Sequence, residues 1–120
     1  MRYLLVVVIV IAAFIIGSHG HEEPKATGVL VSRVIDGDTF VTTEGERIRL
    51  AGINAPERGE AGSAEATAAL GEFIAGRLLT LEQTSTDKYG RTVACVYRGS
   101  RSVDNYMKEY AEAWKGVRCN

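Results

Sequence analysis

Apolar and polar residues alternate in short runs along most of this chain, and the period changes twice. Gly28 to Asp36, GVLVSRVID, is rich in β-branched residues and stops at the tight turn Asp36-Gly37-Asp38, which predicts a strand. Thr39 to Thr43, a turn at Glu44-Gly45 and a return from Arg47 to Ile53 read as a hairpin, so the first three strands make one meander. The period then lengthens. In GSAEATAALGEFIAGR, Ala66, Ala69, Leu70, Phe73 and Ile74 recur at helical spacing, with Ser63 as the N-cap and Gly76 as the stop. LLTLEQTST returns to strand, Asp87-Lys88-Tyr89-Gly90 is a loop, and RTVACVYRG is the fifth strand. Ser102 caps a last helix whose stripe of Val103, Tyr106, Met107, Tyr110, Ala111 and Trp114 reads as core packing, closed by Gly116.

Three strands, a helix, two strands and a helix predict a mainly β protein with about two helices, in the order of the five-stranded Greek-key barrel called the OB-fold. Alternate residues fill such a barrel, and its rims are left for chemistry. The three polar clusters of the chain fall at strand ends: Asp36-Gly37-Asp38, Arg49 with Asn54 to Glu57, and Asp87 to Arg91. Each alone is an ordinary turn or a solvated strand residue.

The N-terminus breaks the pattern. Arg2 precedes an unbroken apolar run from Leu4 to Ile16, then Gly17-Ser18-His19-Gly20. The run suits a signal peptide and falls short of the roughly 20 residues of a spanning helix, so residues 1–20 are expected to be removed ahead of His21. An uncleaved anchor is the alternative. Residues 21–27, HEEPKAT, form a polar lead-in expected to be disordered, and 28–120 one compact domain. The destination is secretion or the periplasm, and nothing calls for an obligate partner, so a monomer is expected. Without Arg2 the chain carries thirteen basic against fifteen acidic residues, which is not the footprint of a non-specific nucleic-acid binder; a polyanion site must be local. In an oxidising compartment Cys95 and Cys119 point to one disulfide, the alternative being a buried Cys95 and a free Cys119.

Taken together the polar clusters suggest one chemistry. Oxygen ligands such as Asp38 and the Asn54 amide suit calcium or magnesium, forked arginine donors suit phosphate, and a further carboxylate can serve as base. Hydrolysis of a phosphodiester needs those three functions and no histidine.

RVIDGDTF, IRLAGINAPE and DKYGRTVACVY resemble, in order and approximate spacing, the three signature segments of the thermonuclease, or staphylococcal nuclease, family, over about Val29 to Tyr110. The resemblance implies an OB-fold and a calcium-dependent nuclease acting on DNA and RNA at the 5′ P–O bond. It implies that Arg49 and Arg91 contact the scissile phosphate, that Glu57 is the general base, and that Asp38 and the Ala55 carbonyl bind one Ca²⁺. It also implies that Lys88 and Tyr89 meet a terminal phosphate, with Asp36 tuning the metal site through water. Two departures stand out. Asn54 replaces a metal-binding aspartate, which predicts weaker calcium binding because affinity follows ligand charge. The family's further helical sequence, with tyrosines lining the cleft, has no counterpart before Asn120. These departures favour an alternative, a catalytically weakened barrel that binds nucleic acid or protein.

Overall fold

The computed structural model describes residues 28–120; the expected signal peptide (1–20) and lead-in (21–27) lie outside the described residues. In chain order the elements are β1 (Gly28–Val29), β2 (Val31–Asp36), β3 (Thr39–Thr42), β4 (Arg47–Leu50), β5 (Ile53–Asn54) and α1 (Ser63–Ile74). They are followed by β6 (Leu79–Thr86), β7 (Thr92–Arg98), β8 (Arg101–Ser102), α2 (Val103–Tyr106), a 3-10 turn (Met107–Glu109) and β9 (Glu112–Ala113).

The main sheet runs β1-β6-β7-β4-β3-β2, with β8 attached to β7. Its two ends, β1 and β2, are halves of the single predicted first strand, interrupted only at Leu30. One bent strand therefore pairs with β6 at its start and with β3 along the rest, and the sheet wraps around on itself as the OB-fold requires. β4 and β7 lie parallel, Arg49 opposite Val93, which sets the ends of these distant strands side by side. Phe40, Ile48 and Leu50 of the meander meet Leu70 and Ile74 of α1 and Leu79 and Val96 of the second hairpin, all 0 % exposed. Fully burying each such side chain contributes about 1.5–3 kcal/mol.

Two glycines are fixed by close approach. A Cβ on Gly37 would lie 2.6 Å from the Cβ of Ala66 and 2.8 Å from that of Ala55, so α1 sits directly on the Asp36–Asp38 turn. A Cβ on Gly52 would meet Cys119 Sγ at 3.1 Å and Asp104 Cβ at 3.2 Å.

Three sequence-based expectations are corrected. The third strand ends at Leu50 rather than Ile53, because Ala51 bonds across to the Ala94 carbonyl and Gly52 to Asp104, turning the chain before it resumes as β5. Gly62, in the left-handed conformation, takes the N-cap position of α1 and Ser63 is its first residue. The last helix is far shorter than its apolar stripe. Ser102 does cap it, accepting from the Asn105 N–H, but the chain tightens to a 3-10 turn at Met107 and then extends, Glu112–Ala113 pairing with β5. Trp114 donates its backbone N–H to the Gly52 carbonyl and is 49 % exposed, so it is not core. β5 offers an unpaired edge that a strand can satisfy and a helix cannot.

Beyond this strap, Cys119 is joined to Cys95 on β7, with Cα atoms 5.4 Å apart. The bond closes a loop across a sequence separation of 24, worth about 3.5 kcal/mol in the chain-entropy model. Cys119→Ser is accordingly expected to lower the unfolding free energy by about 2–4 kcal/mol in urea denaturation. A loss under about 1 kcal/mol would show that the strap is held without its staple.

Candidate phosphate-binding site

The site is built at one end of the parallel β4–β7 pair. In β4, Ile48 and Leu50 point into the core, which leaves Arg49 on the other face, at the rim. Its guanidinium turns back over its own turn: Nη1 donates to the carbonyls of Leu50 and Ile53, the latter at 2.7 Å, and Nη2 donates to Asn54 Oδ1 at 3.0 Å. The same Nη2 lies 3.4 Å from Asp38 Oδ2. The arginine thus holds the Leu50–Asn54 turn shut, with the neutral amide of Asn54 as one of its acceptors.

Asp38 is 7 % exposed and fully engaged. Its Oδ1 accepts from the Thr39 hydroxyl at 2.9 Å and its Oδ2 from the Ala55 N–H at 3.0 Å. Its own N–H donates to Asp36 Oδ1 at 3.0 Å. Burial, and then the neighbouring Asp38, push the Asp36 carboxyl above the usual carboxylate range.

Arg91 arrives from the loop before β7. Nε lies 2.6 Å from Asp87 Oδ2, Nη1 donates to Thr39 Oγ1 at 3.4 Å, and the Arg91 N–H donates to Asp87 Oδ1 at 3.0 Å. Desolvation acts to raise the Asp87 carboxyl, but the Arg91 backbone and side-chain bonds and the Tyr89 N–H together outweigh it and hold the carboxyl below its ordinary value. Thr39 therefore joins the two arginines: it bonds Arg91 on one side and Asp38, the partner of Arg49, on the other.

Arg49 and Arg91 open on one groove of about 430 Å³, with Lys88, Tyr89 and Trp114 also on its walls. The Tyr89 ring lies 5.4 Å from the Arg91 guanidinium carbon and 5.1 Å from Lys88 Nζ, and Trp114 lies 5.7 Å from that of Arg49. These are cation–π distances. Trp114 reaches the groove because the strap is extended; helical spacing had assigned it to the core.

Asp36, Asp38, Asn54, Ala55, Arg49, Arg91, Lys88 and Tyr89 thus gather at one end of the barrel. Glu57 lies on the loop between β5 and α1. It is exposed, its backbone N–H donates to Glu60 Oε1 at 2.6 Å, and its carboxylate makes no ion pair among the described residues. The residues fit a hard divalent cation in donor type. Asp38 Oδ2 and Asn54 Oδ1 converge on one cationic nitrogen, Nη2 of Arg49, and oxygens that converge on one cation can converge on another. No cluster of three acidic, histidine or cysteine ligands occurs among the described residues, so such a site would rest on one aspartate and an amide.

The fold and the site together are those of an OB-fold barrel with two arginines over a shared groove at one end and a carboxylate–amide pair beside them. The chain belongs to the family of staphylococcal nuclease homologues, whose family model matches residues 47–118. It is 33 % identical over 88 residues to a protein of Escherichia coli O157:H7 described as an uncharacterized endonuclease, covering 70 % of this chain and 58 % of that one. It is 37 % identical over 70 residues to the micrococcal nuclease of Shigella flexneri and 39 % identical over 70 residues to Protein ParB of Escherichia coli, covering 56 % of this chain and 40 % of each relative. The matches span between 40 % and 58 % of the length of these relatives.

Proposed function

We propose that this protein hydrolyses phosphodiester bonds of DNA and RNA, with the scissile phosphate bound between Arg49 and Arg91. The observation that carries the reading is the convergence of these two arginines on one groove with aromatic walls. Guanidinium forks match the paired oxygens of a phosphate, and both can follow charge as it builds up on them. Arg91 is held in its aim by Asp87, and Arg49 exchanges its hold on Asn54 for the phosphate. Glu57, on the loop past the turn and free of an ion pair among the described residues, takes the proton from the attacking water. Tyr89 and Trp114 supply faces for bases and Lys88 meets a neighbouring phosphate.

Asp38, Asn54 and the Ala55 carbonyl are the residues that would hold calcium. When bound, the ion supplies positive charge to a phosphoryl oxygen and acidifies its water. Asn54→Asp restores a ligand charge and is expected to tighten calcium binding by about tenfold or more; a calorimetric titration without gain would remove Asn54 from the ligand set. The apolar N-terminal run and the Cys95–Cys119 bond support export to an oxidising compartment, and no described helix is long and apolar enough to cross a membrane.

The test is cleavage of plasmid DNA and of RNA by the purified chain in calcium, in magnesium and in chelator, beside Glu57→Gln. Calcium-dependent cleavage that falls about 10²–10⁴-fold in Glu57→Gln is the expected result. The neutral amide at Asn54 favours a second reading, a barrel that binds without cutting. Oligonucleotide binding by the folded protein, with no cleavage at saturating calcium, would establish it and end the nuclease reading.

A further inference from the structure

At the far end of β7 from Arg91, the short β7–β8 hairpin places Arg98 directly opposite Arg101. Like charges in register across a hairpin are destabilising. These two are also gathered over a single ring: their guanidinium carbons lie 4.6 and 4.9 Å from the Phe73 centroid, and that of Arg101 lies 5.9 Å from the Tyr106 centroid. Phe73 and Tyr106 stack on one another at 3.9 Å, so the platform under the arginines is firm. Neither arginine has a carboxylate within ion-pair distance among the described residues. Arg98 has a structural duty, donating to the Phe73 carbonyl at 3.2 Å near the end of α1, a helix with no basic residue in its last turn. Arg101 makes no such bond among the described residues, and the fold leaves its forked donors to solvent.

We propose that Arg98 and Arg101 form a second phosphate site, taking a backbone phosphate of the polynucleotide whose scissile bond lies at the Arg49–Arg91 end. The inference rests on the nucleic-acid reading above. An anion between two register-paired guanidiniums removes their repulsion, and the aromatic platform holds both planes ready for it. Thr92 to Arg98 is six strand steps, about 20 Å, so a dinucleotide in the Arg49–Arg91 groove cannot reach the pair. Arg98 lies on the same face of β7 as buried Ala94 and Val96, while the groove takes Val93 on the other. A polymer that bends around the end of the sheet can reach it, since its phosphates recur every ~3.4 Å of axis along each strand. The overall acidic balance makes such a local pair the kind of contact by which this chain would hold a long substrate.

The experiment is fluorescence anisotropy of a labelled long duplex, and of a labelled dinucleotide, with the whole chain in chelator across a salt series. Arg101→Gln, which breaks no side-chain hydrogen bond among the described residues, is compared with wild type and with Arg98→Gln/Arg101→Gln. Weaker duplex binding is expected, with the slope of log K against log salt shallower by about 1 per arginine removed and dinucleotide binding unchanged. Duplex binding and slope unchanged in folded Arg101→Gln overturn the proposal. So does saturation of the pair by inorganic phosphate with no dependence on duplex length, which would make it a site for free phosphate. A wild type that binds duplex through this pair yet never cleaves would sink the nuclease reading alone, and one that cleaves with no contribution from the pair would sink only this proposal.

Discussion

Asp104→Ala is expected to destabilise the domain by about 3–5 kcal/mol, against a total stability of about 5–15 kcal/mol for a protein this size. Asp104 is 0 % exposed, yet no cation pairs with it among the described residues. Its two oxygens accept two backbone donors: Oδ1 from the Gly52 N–H at 2.8 Å and Oδ2 from the Val96 N–H at 2.9 Å. It therefore pins the turn after β4 to the middle of β7. Alanine would leave both N–H groups buried and unpaired at about 1–3 kcal/mol each. Urea denaturation measures the loss, and a change below about 1 kcal/mol would mean that water replaces the carboxylate.

The pH dependence has a definite sign. Burial pushes the Asp104 carboxyl above its ordinary value, although the Val96 and Gly52 donors oppose the shift. Between the unfolded pKa and this raised folded one, the native state holds more protons than the unfolded state. The contribution of Asp104 to stability is thus largest below the ordinary carboxylate range and falls as pH rises through the folded pKa. Asp104→Ala should abolish that component of the pH profile.

Arg49→Lys should lower kcat by about 10²–10³-fold, the loss typical of removing one transition-state donor, and should also reduce stability. Lysine cannot span the Leu50 and Ile53 carbonyls, Asn54 and Asp38 with one compact head. Arg91→Lys separates the two effects: it should cost similar activity, while the turn after β4, which Arg91 does not touch, keeps its thermal stability. Full activity in either variant would remove that arginine from the proposed reaction.

How far the sequence foretold all this depends on range. The meander, α1 and the β6–β7 hairpin were legible because alternation and helical spacing are local signals, and Gly76 and Ser102 sit where end signals belong. The last helix was misread because Tyr110, Ala111 and Trp114 continue an i, i+3, i+4 rhythm that the chain does not obey. What overrides the rhythm is distant: the free edge of β5, the Gly52 carbonyl and the bond from Cys119 to Cys95. For the candidate site, the segments singled out Asp38, Arg49, Asn54 and Arg91, and the fold brings these four together. The Thr39 hydroxyl between the arginines was not, since a threonine in a strand carries no signal beyond β-propensity. Trp114 was visible as a residue but hidden as a groove wall, because its place depends on the strap being extended.

The parallel pairing of β4 with β7 also governs when the groove can exist. Arg49 and Val93 are adjacent in space but 44 residues apart in sequence, and loop-closure entropy must be met before that contact gives anything back. The β2–β3–β4 meander closes over a few residues at a time and can form early, carrying Arg49 alone. Arg91 joins it only when the second hairpin docks. A partly folded or still emerging chain therefore presents one arginine without the other, and the groove comes into being with the last strand of the barrel.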